Sequence, residues 1–184
     1  MLFSAILTIF ALTATAQSDL ATFDLKGKVS SCTWTNQGNS YTYSFNAAGR
    51  WTGVNGKALS AAQITVERDS KGRISSYSKE IDCFPFNCSY SYTYNTAGKV
   101  ATFSDNDPEM GEVTTYSYDT NGRVIKETHK RELTEMGSEE TEYETFTYTY
   151  TYLASDAKGN WTKRKGTGSN GGSWTETRTI KYRQ

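Results

Sequence analysis

Large and polar residues alternate with a period of two over much of the chain. Tyr90, Tyr92 and Tyr94 interleave with Ser89, Ser91 and Thr93, and Tyr116 and Tyr118 repeat the pattern. Phe146, Tyr148, Tyr150 and Tyr152 do so most clearly, against Thr145, Thr147, Thr149 and Thr151. A period of two places alternate side chains on opposite faces of a strand. Each such stretch therefore predicts a strand with one aromatic face and one hydroxyl face. No stretch carries the period of an amphipathic helix of ten or more residues, and Ala58 to Ala62 suits a single turn.

One turn recurs between these strands. Six glycines, Gly27, Gly49, Gly72, Gly98, Gly122 and Gly159, stand 22, 23, 26, 24 and 37 residues apart. Three positions before them stand Asp24, Asn46, Asp69, Asn95, Asp119 and Asp156; two positions after stand Val29, Trp51, Ile74, Val100, Val124 and Trp161. The residue following the glycine is basic in five copies, and an aromatic residue precedes the Asp or Asn in four: Phe23, Phe45, Tyr94 and Tyr118. An Asp or Asn side chain accepts a backbone N–H two residues on and so starts a turn. A glycine three residues later takes the positive φ that closes it. Each repeat then reads strand, tight turn, strand, and six copies make roughly a dozen strands at two per hairpin. The predicted fold is all-β: an antiparallel meander of consecutive hairpin repeats forming one large twisted, curled sheet that can roll partly closed. With no helix to cover it, the aromatic face must be covered by that curl or by a partner.

The remaining connections read as hairpins at the opposite end: Asn55-Gly-Lys57, Phe84-Pro-Phe86, and Asp107 to Gly111. The acidic run Glu132 to Glu144 accounts for the 37-residue spacing, through longer strands or a longer loop. A glycine-rich turn, Gly166 to Gly172, precedes a final strand from Trp174 to Tyr182.

Two stretches, Tyr92-Thr-Tyr-Asn-Thr-Ala-Gly98-Lys-Val100 and Tyr116-Ser-Tyr-Asp-Thr-Asn-Gly122-Arg-Val124, resemble the YD repeat of Rhs-type proteins. The likeness covers most of residues 20–184 and is strongest over 90–128. Asn160 to Arg164, followed by Trp174 to Ile180, is similar to the end of small secreted bacterial members. In large members such repeats wind into a spiral β shell around a toxic or enzymatic C-terminal segment. Six copies are too few to enclose a passenger, so the resemblance implies a small member without a toxin or cargo domain. It implies architecture and says little about chemistry.

The 184 residues suffice for one core, and 20 basic against 20 acidic residues argue against a nucleic-acid partner. Leu2 to Ala16 is apolar, too short to span a bilayer comfortably, and ends in Ala14-Thr-Ala16, the small-x-small pattern of a signal-peptidase site. The expected organisation is a signal peptide over 1–16 and a single YD-repeat-like β domain over 17–184. The product is exported to the periplasm, cell surface or medium. No later segment reads as a transmembrane helix. Of three cysteines, Cys83 and Cys88 enclose a four-residue Pro-containing loop and suit a disulfide, which leaves Cys32 over.

No catalytic constellation emerges, and no cofactor or metal is expected. His129 is read as a solvent-facing strand residue, and the turn Asp and Asn residues as backbone devices. Asp105 to Glu109 has oxygens for calcium but not the full ligand spacing, and reads as a plain loop. Trp34, Trp51, Trp161 and Trp174, with Tyr148 and Tyr150, are the candidate ligand-binding aromatics; their alternative role is core. Three functions follow. The first is a non-enzymatic binding module for a glycan or envelope protein. The second is a polysaccharide hydrolase, which needs two inward carboxylates. The third is a structural remnant of a larger Rhs-type shell, self-associating through its sheet edges.

Overall fold

The computed structural model describes residues 18–80, 88–106, 111–133 and 142–184. The expected signal peptide, Cys83 with its Phe-Pro-Phe loop, the 107–110 loop and most of the acidic run lie outside the described residues. Thirteen strands form one sheet: β1 (Val29–Asn36), β2 (Asn39–Phe45), β3 (Trp51–Val54), β4 (Lys57–Ala58), β5 (Ile64–Arg68), β6 (Ile74–Lys79), β7 (Cys88–Tyr94), β8 (Val100–Asp105), β9 (Glu112–Tyr118), β10 (Val124–Leu133), β11 (Glu142–Ser155), β12 (Trp161–Gly168) and β13 (Ser173–Tyr182). Every pairing is antiparallel. No α-helix occurs among the described residues; one 3-10 turn, Asp19–Ala21, precedes the sheet. The 37-residue spacing reflects strand length, since β10 has 10 residues and β11 has 14.

The strand order is β4-β3-β2-β1-β13-β12-β11-β10-β9-β8-β7-β6-β5. The first strand thus pairs with the last in the interior of the sheet. The two edges, β4 and β5, are joined by the short turn 59–63, in which the Ala62 N–H donates to the Ala58 carbonyl. The sheet therefore rolls until its edges are near, but the ladder stays open between them and no barrel closes. Side chains bridge the seam. Asp19, fully buried, accepts from the Arg50 and Arg68 guanidinium groups and from the Trp51 N–H at 2.8 Å. Arg50 also reaches the Gly72 carbonyl. The Trp51 and Tyr77 rings meet at 5.6 Å, β3 to β6.

Five of the six repeat turns share one geometry. At Asn46, Asp69, Asn95, Asp119 and Asp156, the backbone N–H donates to the carbonyl four residues on, and the glycine N–H donates back. The glycines sit at φ between 72° and 78°, and the Asp or Asn carboxyl or amide oxygen collects N–H groups two or four residues later. The copy at Asp24 and Gly27 differs. It joins no two strands, and Asp24 itself has φ of 51°. Residues 18–28 instead run across one mouth of the roll as a plug, with Leu20 and Leu25 buried and Phe23 against Tyr43, Phe45 and Trp51. The plug supplies part of the cover that the sequence alone assigned to curling.

The six apolar residues after the glycines are all buried, from 0% exposure at Val29 to 7% at Val124. Each is followed by a break in register: the partners jump from Val29 to Ser31, Trp51 to Gly53, Ile74 to Ser76, Val100 to Thr102, Val124 to Lys126 and Trp161 to Lys163. One extra residue bulges out each time, which tightens twist and curl. It also flips the parity of the strand, so inward positions resume three residues on. The Gly166–Gly172 expectation needs correction: Gly166 lies inside β12 and the turn is Gly168–Gly172. Gly166 is small because the Trp174 indole packs where its Cβ would be.

Candidate functional site

The parity flip decides which side chains enter the roll. From Val124 the inward series continues as Glu127, His129 and Arg131, and from Trp161 as Arg164, Gly166 and Gly168. In-register pairing carries the rows across: Tyr116, Glu127, Tyr148, then Thr114, His129, Phe146. His129 is therefore buried, contrary to the solvent-facing expectation. Its ring stacks on Phe146 at 4.8 Å, nearly parallel. Nδ1 lies 2.7 Å from Glu112 and Nε2 3.3 Å from Glu127. Burial works against the imidazolium, but hydrogen bonds and charge from Glu127 and Glu112 outweigh it and hold His129 above its ordinary value. Burial likewise opposes the Glu112 charge, and His129 and Arg131 pull that carboxyl below its ordinary value. The Tyr150 hydroxyl donates to Glu127 at 2.9 Å.

A second cluster lies on β12 and β13. Glu176 accepts from Arg164 at 2.7 Å, from the Trp34 indole at 3.1 Å and from the Trp174 indole at 2.8 Å. Arg164 lies over Tyr150 at 3.7 Å, and Arg178 over Trp161 at 3.8 Å. Burial works against the Arg164 charge, and Glu176 and its other acidic neighbours more than restore it. Burial lowers Arg178, against the pull of Asp24. The Asp24 carboxylate, carried by the plug, accepts from the Trp161 indole at 3.2 Å and faces Lys99 at 3.9 Å and Arg178 at 4.0 Å.

A cavity of about 350 Å³ lies between the plug and the sheet. Its lining combines the rings of Tyr77, Tyr92, Phe103 and Tyr116 with the charged side chains of Asp24, Lys99, Glu127, Arg164 and Arg178. Cys32 also lines it; the thiol is buried and free, and burial pushes its pKa up against the Arg178 charge. Cys88 is disulfide-bonded. Among the described residues no group of three or more His, Cys, Asp or Glu side chains is placed to hold a metal ion.

The six candidate aromatics fall inside the roll. Trp51, Trp161 and Tyr150 are buried and the other three half-buried. All four indole N–H groups are engaged internally, by Glu176, Asp24 and the Gly53 carbonyl. Of the six, Trp34 alone lines the cavity. The residues that the sequence reading missed are Asp24 as a cavity carboxylate, with Glu127, Arg164, Glu176 and Arg178. Their one available signal was even spacing, as in Glu127, His129 and Arg131 or Glu176 and Arg178.

The repeat residues also have parts to play between copies. The Tyr94, Tyr118 and Tyr152 hydroxyls donate to the Ile74, Val100 and Val124 carbonyls of the preceding copy. The basic residue after the glycine covers the next copy's ring, Arg73 over Tyr94 at 4.0 Å and Arg123 over Tyr152 at 4.6 Å.

Comparison with known proteins gave a profile match to the Teneurin YD-shell family over residues 53–168. No curated protein matched. Among solved structures, the pore form of a Photorhabdus luminescens Tc holotoxin is similar over 78% of this chain and 9% of its own, at 16% identity and a TM-score of 0.37. The profile spans more than half of the chain and falls on the stretch where turn, ring and basic residue interlock copy by copy. The chain belongs to the Teneurin YD-shell family.

Proposed function

We propose that this β-repeat, shell-like module is an exported, non-enzymatic binding protein of the cell surface or envelope, with residues 1–16 as its signal peptide and 17–184 as its one domain. Its ligand is a glycan or a glycan-bearing envelope component, held at the cavity rather than on exposed aromatics. The observation that carries this reading is the cavity itself, whose lining combines aromatic rings with charged groups. Rings stack on the apolar faces of sugars, and fixed charged groups bind their hydroxyls. A glycan-array survey together with a pull-down from envelope extract tests it. Micromolar capture of a glycan or glycoconjugate is the expected result, and silence in both assays overturns it.

Asp24 and Glu127 line the same cavity, which favours the hydrolase as the second reading. Both carboxylates, however, act as acceptors toward indole, hydroxyl or cationic donors. That arrangement offers a ligand acceptors rather than a mobile proton, whereas glycoside hydrolysis needs a carboxylic acid to protonate the leaving oxygen. Release of reducing ends from a polysaccharide, abolished by Glu127→Gln, would reverse the order of the two readings. Edge pairing with other copies has little to work with at β4, which is two residues long.

A further inference from the structure

Resting on the binding reading, we infer that the cavity selects an acidic sugar, a hexuronate unit whose carboxylate meets Arg178. Three observations converge. The Arg178 Nε atom is buried, and it has no hydrogen-bond partner among the described residues. Arg178 is also one of the cavity-lining residues, and its side chain as a whole keeps 13% exposure. Its guanidinium is otherwise held by the Asp24 carbonyl at 3.1 Å and the Trp161 ring. A buried donor left unpaired is costly, and a planar guanidinium matches a carboxylate in particular.

The second observation is the looseness of the charges around it. Asp24 faces Lys99 at 3.9 Å and Arg178 at 4.0 Å, the outer limit of an ion pair. Among the described residues neither cation has a closer carboxylate. Arg164, by contrast, is held at 2.7 Å by Glu176. The third is the aromatic part of the lining, Tyr77, Tyr92, Phe103 and Tyr116, which suits the flat face of a pyranose. Rings alone fit any sugar; Arg178 and Lys99 add the preference for an anionic one.

Asp24 is then a competitor for the ligand carboxylate, which yields a test of opposite signs. Titration calorimetry on the full chain compares D-glucuronate with D-glucose, for wild type, Asp24→Asn and Arg178→Met. Glucuronate binds wild type about tenfold tighter than glucose. Asp24→Asn removes the competing charge and keeps an oxygen for the Trp161 indole. It strengthens glucuronate about threefold or more relative to glucose. Arg178→Met removes the preference; should that variant not fold, Asp24→Asn alone decides. Equal binding of the two sugars, or weaker glucuronate binding by Asp24→Asn, overturns the acidic-sugar inference while the binding reading stands. Failure of both sugars overturns the inference as well, and the glycan array and pull-down then judge the binding reading separately.

Discussion

Along β5–β9 the inward positions hold rings. Tyr77 stacks on Tyr90 at 4.6 Å, Tyr90 on Phe103 at 5.7 Å, and Tyr92 packs on Phe103 at 5.2 Å. Along β10–β13 the same positions mix rings, among them Phe146, Tyr148, Tyr150 and Trp174, with Glu127, His129, Arg131, Arg164, Glu176 and Arg178. The backbone is the same in both halves, with the same turns and bulges. The first half is stabilised by buried area, which is forgiving of exact geometry. The second depends on specific donors meeting specific acceptors, and a polar interior is costly when one partner is lost. Similar repeats can therefore carry either kind of interior, and the two should respond differently to substitution.

The largest expected effect breaks the charged wall at its centre. Arg164 and Glu176 have side chains only 8% and 2% exposed. Glu176→Gln leaves Arg164 buried without its counter-charge and should cost about 3–5 kcal/mol in urea unfolding. The double change Arg164→Met with Glu176→Gln should recover most of that loss, because it removes both charges together and keeps an amide oxygen for the Trp34 and Trp174 indoles. If the double variant is as unstable as the single one, the charged wall is itself a stabilising element and the contrast between halves fails.

The matching change on the aromatic side is Ile74→Ala. Ile74 is 1% exposed and packs in the cluster with Trp51 and Val29. The cavity left should cost about 2–5 kcal/mol. No polar double variant should rescue it, which is the sharper half of the comparison.

Much of this architecture was readable from residues alone. The Asp or Asn and glycine pairs announce chain reversal through backbone chemistry that does not depend on neighbours, and five of the six turns form accordingly. The buried residues two after each glycine follow from the same turn. The charged wall was not readable, for a definite reason. Counting by twos from Val124 puts Lys126, Thr128 and Lys130 inside and His129 outside; the bulge at Ile125 reverses this. Hydrophobic alternation gives no warning there, since β10 carries polar residues on both faces. Asp24 was misread because its spacing from Gly27 copies the turn motif, while no strand precedes it among the described residues. A strand on both sides is what turns the motif into a hairpin.

Smaller effects come with pH. His129 faces Glu112 and Glu127, with Arg131 on Glu112 and the rings of Phe146 and Tyr148 around it. Its folded pKa is raised, so its contribution is complete below the ordinary value of 6.5 and fades as pH rises through the folded value. Glu112 is lowered, so its contribution is complete above the ordinary value of 4.5 and fades as pH falls through the folded value. The stability difference between wild type and His129→Phe should therefore favour wild type most between those two values and shrink on both sides. A difference that grows steadily toward alkaline pH would mean that the imidazole serves the wall in its neutral form.

The smallest effects lie in the links between copies, where the two halves should behave alike. Tyr118→Phe removes one hydroxyl that donates to the Val100 carbonyl at 2.6 Å and leaves the ring in place. It should cost about 1 kcal/mol, the net worth of an ordinary hydrogen bond. Phe45, in the equivalent place before Asn46, already lacks the hydroxyl, so a copy can form without it. Tyr94→Phe should cost more than Tyr118→Phe. The Tyr94 hydroxyl donates to the Ile74 carbonyl at 2.7 Å and also meets the Thr22 hydroxyl at 2.9 Å, which ties the plug to the repeats. Chemical denaturation gives both costs, and hydrogen exchange over residues 20–25 separates them: faster exchange is expected in Tyr94→Phe and not in Tyr118→Phe. Equal exchange in the two variants would mean that the plug is held by Asp19 and its own apolar contacts, with the repeat hydroxyls serving only the sheet.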